Sequence, residues 1–370
     1  MALDLVRLNA KIDATFDFAG RQLRHLVETH PDYFPLYTVG GKWKHEGELW
    51  TNWCEGFLGG QLWLLYRHTG DPYYREKAEH YSRLIEHRKG DRNVHDLGFL
   101  FWSTWRRWYE LTGDAAINDV VIEAGKTLSL RFKEKGQYLR SFISDESCFV
   151  DIMMNVGIIF YAAQQSADAE ALQRAVQHSL TTRRYLVRGD GSTVHEGIFD
   201  TETGEFLRES THQGWRGDSS WARGLTWALY GFGTVYEFTR DARFLATAEA
   251  CAAYYIEYTP AQGVPPNDWS EPANPQLPYE SAAAAIAAGG LLQLSKLTGD
   301  AAKSRLYHDY ALQILDTLTE PEFTAIETPG WEGILKHQMY HQRKGLGVDE
   351  SCMFGEYFYL EALARAKGYE

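Results

Sequence analysis

The stretch GFLGGQLWLLYRHTGDPYYREKAEHYSRLIEH, residues 56–87, decides the fold. Its first part, GFLGGQLWLLY, is apolar nearly all round, and a helix of that kind is buried on most of its faces. Its last part, YREKAEHYSRLIEH, mixes apolar and polar residues with the period of a surface helix. Thr69-Gly70-Asp71 joins the two. Gly supplies the left-handed residue that ends one helix, and Asp caps the next. The pattern recurs outward along the chain, with joints at Thr112-Gly113-Asp114, Ser166-Ala167-Asp168, Thr239-Arg240-Asp241 and Thr298-Gly299-Asp300. The apolar segments LGFLFWSTWRRWYEL, IMMNVGIIFYAA, GLTWALYGFGTVYEF and SAAAAIAAGGLLQL precede those joints, and MFGEYFYLEALARA follows the last.

The opening MALDLVRLNAKIDATFDFAGRQL reads as an amphipathic helix. Counting it as the first outer helix gives six inner and six outer helices in alternation. An inner ring closed on itself makes an all-α, (α/α)6 barrel, with one catalytic domain over residues 1–370. An open solenoid is the alternative. Uneven repeats disfavour it: 43 residues separate Asp71 from Asp114, and 73 separate Asp168 from Asp241. The long interval holds RGDGSTVHEGIFDTETGEFL, which predicts a β-hairpin near residues 188–208 with turns at Gly191 and Gly204.

Composition narrows the function. A net charge of −13 speaks against a nucleic-acid partner, which needs a basic surface. No apolar run is long enough for a membrane span, so no membrane partner is expected. No N-terminal signal is read, which predicts a cytoplasmic protein; a periplasmic one would have had its leader removed. Cys54, Cys148, Cys251 and Cys352 are scattered, with no C-x-x-C pair, and read as reduced, buried thiols. There is no phosphate loop, dinucleotide fingerprint or Gly-x-Ser-x-Gly elbow. His337 and His341 lack the Glu of a metalloprotease helix. No cofactor and no metal are expected. The 12 Trp and 22 Tyr suit both core packing and stacking on sugar rings.

All inner helices of such a barrel run the same way. Their first residues gather at one end, together with the positive ends of the helix dipoles. Those residues include Trp53, His95, Asp96, Asp151, Gln213, Arg223 and Trp227. Asp96 in VHDLGFLFW and Asp151 in CFVDIMMNVGIIF each open an apolar helix. Each also reads as a plain N-cap. As a pair, they can split into one protonated and one ionised group. Phe149, Val150, Ile152, Met153 and Met154 surround Asp151 in sequence and predict a raised pKa there, while His95 predicts an ionised Asp96. Arg223 and Trp227, four residues apart, share a helical face. His195 lies in the hairpin.

Together VHDLGF, FVDIMMN, VRGDGSTVHEGIFD, THQGW, SWARGLTWALYGF and GEYFYLEALAR resemble the unsaturated glucuronyl hydrolases of glycoside hydrolase family 88. The resemblance runs from NWCEGFLGGQLWLLYRHTGD to the C-terminus. It implies the (α/α)6 barrel and a substrate left by polysaccharide lyases, an oligosaccharide with a 4,5-unsaturated uronate at its non-reducing end. It implies hydration of the C4=C5 vinyl ether, after which the hemiketal opens and expels the rest of the chain. Asp151 would be the general acid/base, and Asp96 would hold ring hydroxyls and steady the developing positive charge. Trp53, His195, Gln213, Arg223 and Trp227 match positions lining the unsaturated sugar, with His95 at the same end. The loop HQMYHQRKGLGVDES is read as meeting the next sugar or its sulfate through His341 and Lys344. Where the family often has Trp between its acidic motifs, YLRSFISDESC has Tyr138 and Phe142, with no role assigned. An unsaturated rhamnogalacturonyl hydrolase, a sugar 2-epimerase or a non-catalytic sugar-binding barrel are the competing readings. An epimerase would need histidines that shuttle protons.

Overall fold

The computed structural model describes residues 4–369. Its helices are α1 (Leu5–Thr29), α2 (Gly56–Thr69), α3 (Pro72–Leu84), α4 (Leu97–Phe101), α5 (Trp105–Thr112), α6 (Ala115–Ser129), α7 (Ile152–Asn155), α8 (Gly157–Ser166), α9 (Ala169–Tyr185), α10 (Ala222–Thr239), α11 (Ala242–Tyr258), α12 (Ser281–Leu297), α13 (Ala301–Leu318) and α14 (Met353–Ala366). Short strands punctuate them: β1 (Thr38–Val39), β2 (Lys42–Trp43), β3 (Phe132–Lys133), β4 (Tyr138–Leu139), β5 (Ser147–Phe149), β6 (Glu196–Phe199), β7 (Phe206–Ser210), β8 (Gln338–His341) and β9 (Leu346–Glu350).

Alternation of buried and half-buried helices is as the sequence predicts. Every residue of α12 from Ser281 to Ser295 is buried, as is every residue of α14 from Met353 to Ala364. The intervening α13 buries one face only, through Tyr307, Ala311, Leu312, Ile314, Leu315 and Leu318. Among the described residues, two inner helices are interrupted, which turns twelve helical positions into fourteen helices. Between α4 and α5, the hydroxyls of Ser103 and Thr104 bond back to the carbonyls of Phe99 and Leu100 and compete with the helix ladder.

The chain divides into two compact units. The first comprises residues up to 84, 259–267 and 272 onward. In it α2 packs on α3 and α14, and α12 on α13 and α14. The second comprises residues 85–258 and 268–271. In it α6 packs on α5 and α8, and α10 on α7 and α11. β5, β6 and β7 form an antiparallel sheet in that order.

The joints mostly follow the expected chemistry. Gly70 and Gly113 are left-handed. Ala167 (φ 53°) and Arg240 (φ 56°) adopt the same conformation without the freedom of glycine. The last joint departs: Thr298 ends α12 in extended conformation (φ −69°, ψ 137°), so Gly299 is not needed as a left-handed stop. The Asp of each joint accepts a backbone N–H of the following helix, as Asp71 from Tyr73, Asp114 from Ala116, Asp168 from Ala171, Asp241 from Arg243 and Asp300 from Ala302.

The predicted hairpin is present, paired over Glu196–Phe199 and Phe206–Ser210, with Gly204 (φ 81°) in its turn. Gly191 serves a separate turn closed by the Val187–Thr193 bridge. β5 is an unpredicted third strand. The four cysteines are buried thiols, with no disulfide among the described residues. Among the described residues, no helix is long and apolar enough to cross a membrane.

Candidate active site

β5 delivers the chain to Asp151, and β6 begins one residue after His195. Their pairing sets Phe149 opposite Glu196, and Val150 N–H donates to the His195 carbonyl at 2.9 Å. The hairpin therefore fixes His195 beside Asp151: His195 Nε2 lies 3.5 Å from Asp151 Oδ2. Among the described residues, neither atom has a hydrogen-bond partner of normal geometry. Asp96 sits just before α4, with His95 Nε2 3.4 Å from its Oδ1.

Neither carboxylate is a helix cap. Asp96 and Asp151 both stand at the N-cap position, and neither side chain accepts a bond from its helix. That separates them from the five joint aspartates, which do. Asn155 ties the two acidic segments together. Its Oδ1 accepts from Phe99 N–H at 2.8 Å, and its Nδ2 reaches Asp96 Oδ1 at 3.5 Å and the Asp151 carbonyl at 3.3 Å. Gly98 permits this approach, because a Cβ there would lie 2.6 Å from Asn155 Cα.

The electrostatics reverse the order read from sequence neighbours. Burial pushes the Asp96 carboxyl well above the ordinary range, and the nearby Asp151 charge raises it further. Asp96 is 5% exposed. Burial also works against the charge on Asp151, but His195, His95 and Arg223 outweigh it and hold its pKa below the ordinary value. Asp96 is thus the protonated member and Asp151 the carboxylate. The reason is spatial: the apolar chain neighbours of Asp151 count for less than the imidazoles and guanidinium that the fold brings to it. His95 does not keep Asp96 ionised, because burial, then the charge of Arg131, lower its own pKa to about 3.

The remaining predicted residues fall in both units. Arg223 is 2% exposed, its guanidinium 4.5 Å from the ring centre of Trp221. Gln213 follows β7, and its backbone N–H donates to His195 Nδ1 at 3.2 Å. Trp227 is 1% exposed and packs on Phe99 with ring centres 5.1 Å apart. The second unit therefore gathers His95, Asp96, Asp151, His195, Gln213, Arg223 and Trp227. Trp53, His341 and Lys344 belong to the first unit. There Trp53 stacks on Tyr340 at 6.1 Å and His341 lies edge-on to Tyr340 at 6.3 Å. Lys344 Nζ bonds Glu48 Oε1 at 2.7 Å and lies 4.0 Å from the ring centre of Trp50.

Sequence reasoning missed Arg131 and the work of Asn155 and Phe142. Arg131 is buried and spends its guanidinium on the carbonyls of Arg92, Arg140 and Ser141, which fixes the segment before Phe142. Phe142, 43% exposed, contacts His95, Phe149 and His212 by its ring. The departure from Trp in this segment was the one signal that pointed there. Among the described residues, no group of three or more His, Cys, Asp or Glu is placed to hold a metal ion.

The chain is similar to known proteins over most of its length. The chain is 34% identical over 322 residues to an unsaturated glucuronyl hydrolase of Formosa agariphila, covering 85% of this chain and 80% of that protein. A crystal structure of an unsaturated glucuronyl hydrolase specific for heparin superposes with a TM-score of 0.90 at 28% identity, over 97% of this chain and 98% of that one. A mutant unsaturated glucuronyl hydrolase of Streptococcus agalactiae, complexed with dGlcA-GalNAc6S, matches with a TM-score of 0.82 at 26% identity, over 98% and 92%. These likenesses give the chain the all-α, (α/α)6-barrel class of those enzymes. The model of Glycosyl Hydrolase Family 88 matches residues 34–261, which include both carboxylates, both histidines and Arg223, and the chain belongs to that family.

Proposed function

We propose that this glycoside hydrolase removes the 4,5-unsaturated glucuronate from the non-reducing end of oligosaccharides that lyases cut from glycosaminoglycans. The supporting observation is the carboxylate pair: two aspartates that cap nothing, Asp96 buried and Asp151 half-buried, with opposite pKa shifts, beside a buried arginine. The names of the relatives favour a glucuronyl over a rhamnogalacturonyl substrate. Reduced, buried thiols fit a cytoplasmic setting.

Asp151 is the proton-transfer group. In the free protein it is a carboxylate, held so in part by Arg223. The uronate's own carboxylate, drawn to Arg223, offsets that positive charge. Asp151 then binds a proton more tightly and takes one up with the substrate. It gives this proton to C4 as the double bond breaks, which leaves an oxocarbenium-like centre at C5. Asp151, again ionised, takes a proton from the water that adds to C5. The hemiketal at C5 then opens to a ketone and leaves a hemiacetal at C1, whose collapse to the aldehyde breaks the glycosidic bond and releases the aglycone as an alcohol. Atoms and charge balance without a metal or an anomeric displacement. Asp96, neutral, offers a hydroxyl donor to ring oxygens. In the second unit, Gln213, His195, His95 and Trp227 bind the unsaturated sugar; in the first, Trp53, His341 and Lys344 are sugar contacts by family resemblance alone.

The test is direct. Lyase-generated unsaturated disaccharides should lose the ultraviolet absorbance of their double bond when mixed with the protein. Asp151→Asn should lower kcat by about 10²–10⁴-fold, the range for one acid–base group, with its helical circular dichroism intact. No absorbance loss on any uronate tried would refute the reading.

A further inference from the structure

The two carboxylates face two histidines in matching ways, and the matching continues on the far side of each ring. His95 Nδ1 accepts the backbone N–H of Phe142 at 3.0 Å. His195 Nδ1 accepts the backbone N–H groups of His212 at 3.1 Å and Gln213 at 3.2 Å. A ring nitrogen that receives an N–H bears a lone pair, so its proton sits on the other nitrogen. Both rings therefore carry hydrogen on Nε2, 3.4 Å from Asp96 and 3.5 Å from Asp151 respectively. Thr211 completes the arrangement. Its Oγ1 accepts the Gly214 N–H at 2.8 Å and lies 3.1 Å from His195 Nδ1. Because Nδ1 already receives backbone N–H groups and has no hydrogen to give, the Thr211 hydroxyl can face it only as a donor.

We propose that the Thr211–Gly214 turn is a tautomer lock, in which Thr211 is a positioning residue that holds His195 as a neutral Nε2–H donor toward Asp151. The Phe142 amide does the same for His95 and Asp96. A hydrogen on Nδ1 would meet a converging N–H and leave both donors unsatisfied in a buried site. Among the described residues, the charged and titratable groups that interact with His195 are Asp151 before α7, His95 before α4 and His212 in the turn, while Arg223 on α10 acts on Asp151. The lock confines proton traffic to the carboxylates. It also separates this site from one in which histidines shuttle protons. The inference rests on the reading of Asp151 as the proton-transfer group.

Nitrogen-15 spectra of the histidine side chains in the full chain test it, with His195 assigned by its loss in His195→Gln. The expected signals are a bare Nδ1 and a protonated Nε2. Thr211→Val should shift the His195 signals and lower kcat about tenfold, the worth of one hydrogen bond, with KM little changed. Thr211→Ser should restore both. An Nδ1–H tautomer, or a Thr211→Val protein with unaltered His195 signals and kcat, would each overturn the lock. The ring signals are read on the free wild-type protein, so they decide the lock even if the valine variant fails to fold. Wild-type protein with locked histidines but no turnover of unsaturated disaccharides would overturn the proposed function and leave the tautomer assignment standing.

Discussion

At the residue scale, Asp96 is the informative side chain. Its folded-state pKa is raised, so the stability it allows is full below the unfolded value near about 3.9 and is lost as pH rises toward the folded value. Asp96→Asn keeps the shape of the protonated acid and removes that loss. We expect a Tm at pH 7 equal to or above that of the parent, a difference that shrinks toward pH 4, and a kcat reduced about tenfold, the worth of one hydrogen bond to the sugar ring. Calorimetry across pH beside a turnover assay reads all three. A variant less stable at pH 7 than at pH 4, relative to its parent, would show that Asp96 is not held neutral. The sequence located this residue and its partner but inverted their protonation. Chain neighbours report hydrophobicity on either side of a carboxylate. They do not report that His195, 44 positions on, and Arg223 converge on Asp151 through a sheet and a second helix.

At the element scale, the helices were legible because periodicity and cap chemistry are local. The joints carry both, and they give a clean test. Ala167 and Arg240 hold left-handed backbones that cost an L-residue about 1–2 kcal/mol. Ala167→Gly and Arg240→Gly should each raise stability by roughly 0.5–1 kcal/mol after the extra chain entropy of glycine is counted, measured by urea denaturation. Gly70→Ala should fall by a similar amount. The same logic runs the other way inside the site. Gly98 lets α4 approach the start of α7, and Gly98→Ala places a methyl 2.6 Å from backbone at Asn155. A loss of about 1–3 kcal/mol is expected for such overpacking, with kcat falling beyond what lost folding explains, since Asn155 holds both acidic segments. What escaped the sequence was non-local. β5 is three residues long and gains its identity only by pairing with β6, whose residues lie some fifty positions away. The break between α4 and α5 depends on two hydroxyls turning back to their own helix rather than outward. Trp53, just before α2, and His341 and Lys344, in the segment before α14, were readable as aromatic or basic, whereas the company each keeps was not.

At the scale of the whole molecule, the balance of shifted carboxyls sets how stability varies with pH. Asp151, Asp190, Asp241 and Asp300 have lowered values, so their contributions are present above the unfolded pKa and fade as pH falls through the folded ones. Asp96 and Glu356 are raised and act on the other side. Glu356, inside α14, is pushed up to about 8 by burial, although its Oε1 accepts the backbone N–H groups of Ile334 and Leu335. Its contribution is therefore full below about 4.3 and declines as pH rises to about 8. A chain with net charge −13 also repels itself more as pH climbs. These effects together place maximum stability on the acid side of neutrality, between the two sets of carboxyls. Glu356→Gln preserves the acceptor for the two amides and has no proton to lose. It should leave Tm near pH 5 nearly unchanged, raise it at pH 8, and move the optimum upward. A thermal-denaturation series on the parent and Glu356→Gln proteins measures that displacement. Parallel curves would mean that Glu356 already ionises in the acid range, and that the α14 core accommodates its charge.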